Sequence, residues 1–254
     1  VIETPPQMSA QPAVGTLPPL RTPETIQLTL GNGLEVVAIA RAVAPIVSLS
    51  LMVRSGADTD PPGREGLASS TAEMLDEGAG NRSALEVAED LEQIGADLYV
   101  GAGRDGSQLT MQVPSKELAR ALAVAADVVI RPRLAVEDWA RVQHDRLTAL
   151  AQRRDQPEAV ANLVSDRTLF GERHPYGHPV DGLERSLGEM STDDIRRFHQ
   201  QMWRPNNATL VVAGDFDPAT LPAELERAFG AWQPQAIAPS RATPPFPALA
   251  RLVL

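Results

Sequence analysis

The chain has 254 residues, 43% of them hydrophobic, enough for one large core or two modest ones. A formal net charge of −10 argues against nucleic acid and anionic membrane as partners, because both are met by a basic face. There is no cysteine, which excludes disulfides and thiolate metal sites, and no apolar run approaches the ~18 residues of a membrane span.

Residues 1–23 are rich in Pro and small polar residues and are expected to form an extended N-terminal arm. A Pro-rich start at Val1 without Met gives the expectation of an exported, periplasmic protein. Ile26 to Leu30 and Leu34 to Ala40 flank Gly31-Asn32-Gly33, a hairpin signal. Ile46 to Val53 reads as a third strand, with Val47, Leu49, Leu51 and Val53 on one face. After a Gly/Pro-rich loop, Gly66 to Gly78 reads as a helix closed by its last glycine. Ser83-Ala84-Leu85-Glu86 is a capping box that starts a helix with Val87, Leu91 and Ile94 on one side.

Asp97 to Gly101 and Ser107 to Val113 predict two short strands around a Gly-rich turn. Pro114-Ser115 opens a helix that Arg131-Pro132 ends. Further helices are expected over 136–153 and from Pro157. The loop 171–179 follows, and then a helix capped at Ser191. Ala208 to Gly214 is a buried strand, and Asp217-Pro218 starts a last helix reaching Phe229. The pattern predicts an α+β fold: a mixed, largely antiparallel sheet with helices packed on one face. The expected division is an arm at 1–23, one domain at 24–233, and a Pro-rich linker leading into a missing second half at 234–254.

Several phrases carry a resemblance. They are Ser55-Gly56-Ala57, the frame Gly66-Leu67-Ala68 to Met74-Leu75 and Gly78, Arg131-Pro132, His174-Pro175-Tyr176-Gly177, and the run from Arg204-Pro205-Asn206-Asn207 to Gly214-Asp215. Together and in this order, from about Glu24 to Trp232, they resemble the N-terminal half of an insulinase/pitrilysin peptidase, the inverted zinc (H-x-x-E-H) family. The resemblance implies two such halves closing like a clamshell around a peptide-sized chamber. It also implies a zinc ion held by two imidazoles one helical turn apart, a Glu base between them, and a later carboxylate ligand. On that frame the first His position is Ser69, the base position Ala72 and the second His position Glu73. With Asp155-Gln156-Pro157 as anchor, the later ligand falls on Ala149. The catalytic-equivalent positions are vacant, so no catalytic residue, no metal ligand and no zinc cofactor are expected. Family peptidases add substrate as a strand to a sheet edge, and the matching positions here are Tyr99 and Val100.

Other constellations offer less. Glu73, Asp76 and Glu77 stand at i, i+3 and i+4 and read as a solvated acidic face. His174 and His178 sit among Pro175, Gly177 and Pro179, which forbid a helix, so they read as loop structure. His144 and His199 lie on separate helices and read as surface or packing residues. Ser69-Ser70 with Glu73 has no histidine nearby in sequence to make a nucleophile. The leading expectation is a non-catalytic homologue. It would act as structural and substrate-chamber partner of an active zinc-peptidase subunit, together with a second homologous half, and would contact peptide substrate but no nucleic acid. Two alternatives stand: an active metalloendopeptidase using an unrecognised site here or in the absent half, and a free-standing scaffold or binding protein.

Overall fold

The computed structural model describes Gly15 and residues 22–237. Nearly all of the expected arm, and most of the expected linker, lie outside these residues. The chain starts with an antiparallel hairpin, β1 (Ile26–Thr29) and β2 (Glu35–Ala40), in which Thr29 faces Glu35. The turn is held by Asn32. Its buried Nδ2 donates to the carbonyls of Phe229 (2.8 Å) and Trp232 (3.1 Å), and its Oδ1 accepts from the Leu34 N–H. A hairpin signal in the sequence is therefore also a long-range anchor for the C-terminal part of the domain.

β3 (Ile46–Val53) alternates as expected, with Val47, Leu49, Leu51 and Val53 buried. α1 (Leu67–Glu73) follows, then a two-stranded ribbon of β4 (Gly78–Ala79) and β5 (Arg82–Ser83). α2 (Ala84–Ile94) carries the predicted Ser83–Glu86 capping box and ends at Gly95, whose φ of 63° is left-handed. β6 (Asp97–Ala102) and β7 (Ser107–Pro114) form the second hairpin. The helices α3 (Leu118–Ile130), α4 (Val136–Arg153), α5 (Pro157–Phe170), α6 (Glu184–Gly188) and α7 (Thr192–Met202) come next. β8 (Ala208–Gly214) then returns to the sheet, and α8 (Leu221–Phe229) closes the domain.

The sheet order is β1-β2-β8-β3-β7-β6, and every pairing is antiparallel except β2 with β8. One face is apolar: Leu49, Leu51, Leu109, Met111, Leu210 and Val212 are all buried. The other presents residues such as Ser48, Gln108 and Gln112, which are exposed. The α+β reading holds, with helices on the apolar face. α3 is the most deeply packed helix and lies against β7, α2 and α8. Among the described residues no helix is long and apolar enough to cross a membrane.

One boundary departs from expectation. α1 stops at Glu73 rather than reaching Gly78. Met74 and Leu75 are fully buried, and the Leu75 N–H bonds to the Ala72 carbonyl as the last turn tightens. Gly78 is needed for the ribbon rather than for a helix cap. Its φ is 131°, and a Cβ there would lie 2.6 Å from the Arg82 carbonyl oxygen. Ribbon β4–β5 and the short α6 are elements that the sequence pattern does not predict.

Candidate functional site

The site is built around α1. Its N-cap, Gly66, has a φ of 92°, and no local side chain caps the helix. Asp60, from the preceding loop, does so instead: its carboxylate accepts the N–H groups of Gly66 (2.7 Å) and Ala68 (2.8 Å). Burial outweighs these bonds and pushes the Asp60 carboxyl up to about 7. Gly66 meets Gly182 backbone to backbone, so closely that a Cβ on Gly66 would lie 2.7 Å from the Gly182 Cα. The Ser186 hydroxyl adds a bond to the Glu65 carbonyl (2.7 Å). The loop ahead of α6 is thereby seated on the start of α1.

α4 supplies the central side chain. Arg146 is only 10% exposed, and its guanidinium lies between Ser69 and Glu73. Nη2 donates to Ser69 Oγ (3.0 Å) and to the Asp181 carbonyl (3.1 Å), while Nη1 is ion-paired with the Glu73 carboxylate. The Asp181 carboxylate is held in turn by Arg153 (2.7 Å). Ala149, one turn after Arg146, lines the same cleft of about 380 Å3 with Glu73, Leu150, Arg153 and Asp181. Ala72 is fully buried, as are Ser70 and Thr71, whose hydroxyls find no hydrogen-bond partner among the described residues.

Ser69, Glu73 and Ala149 thus come together, and Ala72 is next to them in α1. An aliphatic hydroxyl, two methyl groups and one carboxylate already paired to a guanidinium are not a zinc donor set. The acidic face needs correction. Glu73 pairs with Arg146 and Glu77 with Arg141, and Asp76 lies beyond the end of the helix. Glu73 and Glu77 reach α4, while Glu73 and Asp76 stay exposed, so the solvated part of the expectation holds and the shared helix face does not.

His174 and His199 are structural in their contacts. His174 is buried, its Nδ1 accepts the Tyr176 N–H (3.0 Å), and its ring packs against Phe170 and Tyr176. Arg104 fastens the same loop to α5 through the Tyr176 carbonyl (3.0 Å) and Asp166 (2.5 Å). His199 is buried, donates Nε2–H to the Val129 carbonyl (2.8 Å) and stacks on Trp203. Burial pulls it down to about 4, so it is neutral at pH 7. His144 is exposed on α4, and His178 makes a long contact to the Pro179 carbonyl. Among the described residues no three His, Asp or Glu side chains gather as metal ligands.

β6 is the last strand on its side of the sheet, so its outer backbone edge is unpaired among the described strands. Tyr99 is 59% exposed and lies over Gly101 on the open face, whereas Val100 packs into the core. Only the first of the two candidate edge residues can present its side chain outward.

The profile of the insulinase peptidases, family M16, matches residues 35–173, and that of the M16 inactive domain matches residues 189–253. The chain belongs to the insulinase family. An uncharacterised zinc protease of Rickettsia bellii is 26% identical over 200 residues, covering 79% of this chain and 48% of the relative. One from Mycobacterium tuberculosis is 28% identical over 225 residues, covering 89% and 50%. The chain therefore spans about half the length of the curated relatives it matches. Its fold is that of the peptidase M16 inactive domain from Pseudomonas fluorescens (TM-score 0.80, 24% identity, 86% of this chain and 53% of that one). Pitrilysin (TM-score 0.78, 21%, covering 88% and 24%) and the Escherichia coli periplasmic protease PqqL (0.79, 18%, covering 91% and 26%) share it.

Sequence reasoning missed Arg146 and Asp60. Arg146 could have been found by asking what stands one turn before Ala149 on the same helix. Asp60 had no such signal, because it caps α1 from across a loop rather than from the N-cap position.

Proposed function

We propose that this chain is a non-catalytic insulinase-family half that has lost the zinc site and the base. Its role is structural: it walls a substrate chamber, pairs with a second homologous half, and supports an active zinc-bearing peptidase subunit. The observation that carries this reading is the Arg146 guanidinium bonded between Ser69 and Glu73, with Ala72 where a base would stand. Ala72 and Ala149 carry no proton acceptor, and the Glu73 carboxylate is engaged by Arg146, so the cationic position is filled by the chain itself. The M16 inactive-domain profile and the Pseudomonas fluorescens structure of that description support the same reading. Substrate contact, where it occurs, uses the outer edge of β6 beside Tyr99. A periplasmic setting belongs to the proposal and is supported by the likeness to PqqL.

The test is metal analysis and a peptide-cleavage assay, with and without chelator, on the full-length protein. The expected result is no stoichiometric zinc and no chelator-sensitive cleavage by this chain, with increased cleavage when a zinc-bearing family partner is added. Zinc bound by residues of this half would overturn the reading. A second reading, an active metallopeptidase, is favoured by the names of the relatives, which are called zinc proteases. It predicts chelator-sensitive cleavage that survives substitution of Ser69 and Glu73, because the metal would sit at an unrecognised site of this half or in a second one.

A further inference from the structure

We propose that Arg146 is the resident cation of this cleft, a covalently attached replacement for a bound ion that also keeps the cleft closed to divalent metal. The inference rests on the non-catalytic reading above and goes past it. Missing ligands explain why zinc would bind weakly, whereas a fixed guanidinium would exclude it even from restored ligands.

Three observations converge on this side chain. Arg146 is nine-tenths buried, which is unusual for a charged residue unless it is well paired. Its acceptors come from separate segments: Ser69 in the first turn of α1, Glu73 in the last, and the Asp181 backbone in the loop seated on Gly66. One cation therefore ties α1, α4 and that loop together, as a metal does when it gathers ligands from separate elements. Positions 69 and 73 are also four apart on a helix, the spacing at which two imidazoles share an ion. An ion held between them would touch the guanidinium, and two positive charges in contact repel.

Apart from Glu73, the carboxylates around the guanidinium are already matched by other cations, including Asp145, which lines the cleft and lies 3.6 Å from Arg141. Glu73 is the carboxylate partner, the Asp181 side chain is committed to Arg153, and Glu77 is committed to Arg141. Ala149 adds no donor. The Arg146 Nε–H has no acceptor among the described residues, so the guanidinium is held by its two terminal nitrogens, like a head group reaching into a site from outside.

The experiment restores ligands with and without the arginine. Ser69→His, Glu73→His and Ala149→Glu are combined in the chain, and the same triple variant is made with Arg146→Met. Zinc affinity is read by calorimetry, and ligand geometry by cobalt absorption. The expected result is zinc binding tighter by about tenfold or more when Arg146 is removed, with tetrahedral cobalt bands only then. Equal affinity in both would overturn the inference and leave the non-catalytic reading intact. Stoichiometric zinc in the unaltered cleft would overturn both.

Circular dichroism and melting establish that each variant folds. If the triple variant does not, Arg146→Ala in the native background decides. It is expected to melt lower by about 5 °C or more. Methylguanidinium should restore at least part of that loss at concentrations that leave the unaltered protein unchanged, and methylammonium should restore less. No selective recovery would overturn the inference.

Discussion

Asp60 is a carboxylate with an unusual task. It satisfies two backbone N–H groups at the start of α1 from inside the protein, and burial keeps its proton on up to about pH 7. The folded chain holds that proton where the unfolded chain has released it, so the contribution is fully present below the ordinary carboxylate range and is lost as pH rises through about 7. Asp60→Asn cannot titrate. The stability of the native protein relative to Asp60→Asn should therefore fall as pH rises from about 4 to about 7, by up to about 1.4 kcal/mol per pH unit, and stay level above that. Urea unfolding at several pH values measures it, and a constant difference would count against the assigned role. His199 works in the opposite sense. Its neutral buried ring contributes stability that is present above its ordinary range and lost as pH falls through about 4, so the two groups partly offset each other in the native profile. Neither group was legible in the sequence as a titrating core residue, because burial of a single side chain is set by long-range packing. That Ser69, Glu73 and Ala149 would lie near one another was legible because they sit on a frame of flanking Gly, Leu and Pro residues that aligns as a unit, and all three border Arg146.

At the level of elements, the strands and long helices followed from local pattern. Alternation gave β3 and β7, the Ser83–Glu86 box gave α2, and Pro157 fits the first turn of α5. The end of α1 did not follow, since Gly78 answers to the Arg82 carbonyl across the ribbon and not to its own helix. The start of α1 depends on a contact between two glycines far apart in sequence. Gly66→Ala would place a methyl group against the Gly182 backbone and force a side chain to a φ of 92°. A loss of about 2–4 kcal/mol in chemical denaturation is expected, much more than for an ordinary exposed Gly→Ala change. α5 is the opposite case. It buries no residue, and Val160, Val164 and Leu169 are exposed. Its amides should exchange with deuterium well before those of α3, which has eight buried side chains. Equal protection of the two helices in the isolated chain would show that α5 is held by contacts other than core burial.

Across the described molecule, the last described strand in sequence is not the last strand in the sheet. β8 lies between β2 and β3, and through it the parallel pairing Glu35–Ala40 with Thr209–Gly214 is made. Asn32 likewise reaches over to the carbonyls of Phe229 and Trp232. A chain ended at Arg204 should show no cooperative melting transition, although it retains five of the six strands of the main sheet. A sigmoidal melt from that fragment would mean that the hairpins at either side are stable without the central strand. On the ribosome the same arrangement imposes a schedule. β2 and β3 emerge early with a gap between them, and contacts of such long sequence separation form slowly. The nascent domain must wait, with unsatisfied strand edges, until residues 208–214 have cleared the exit tunnel. Nascent-chain shielding over that interval is a demand set by strand order alone, and it would apply to any sequence threaded through this topology.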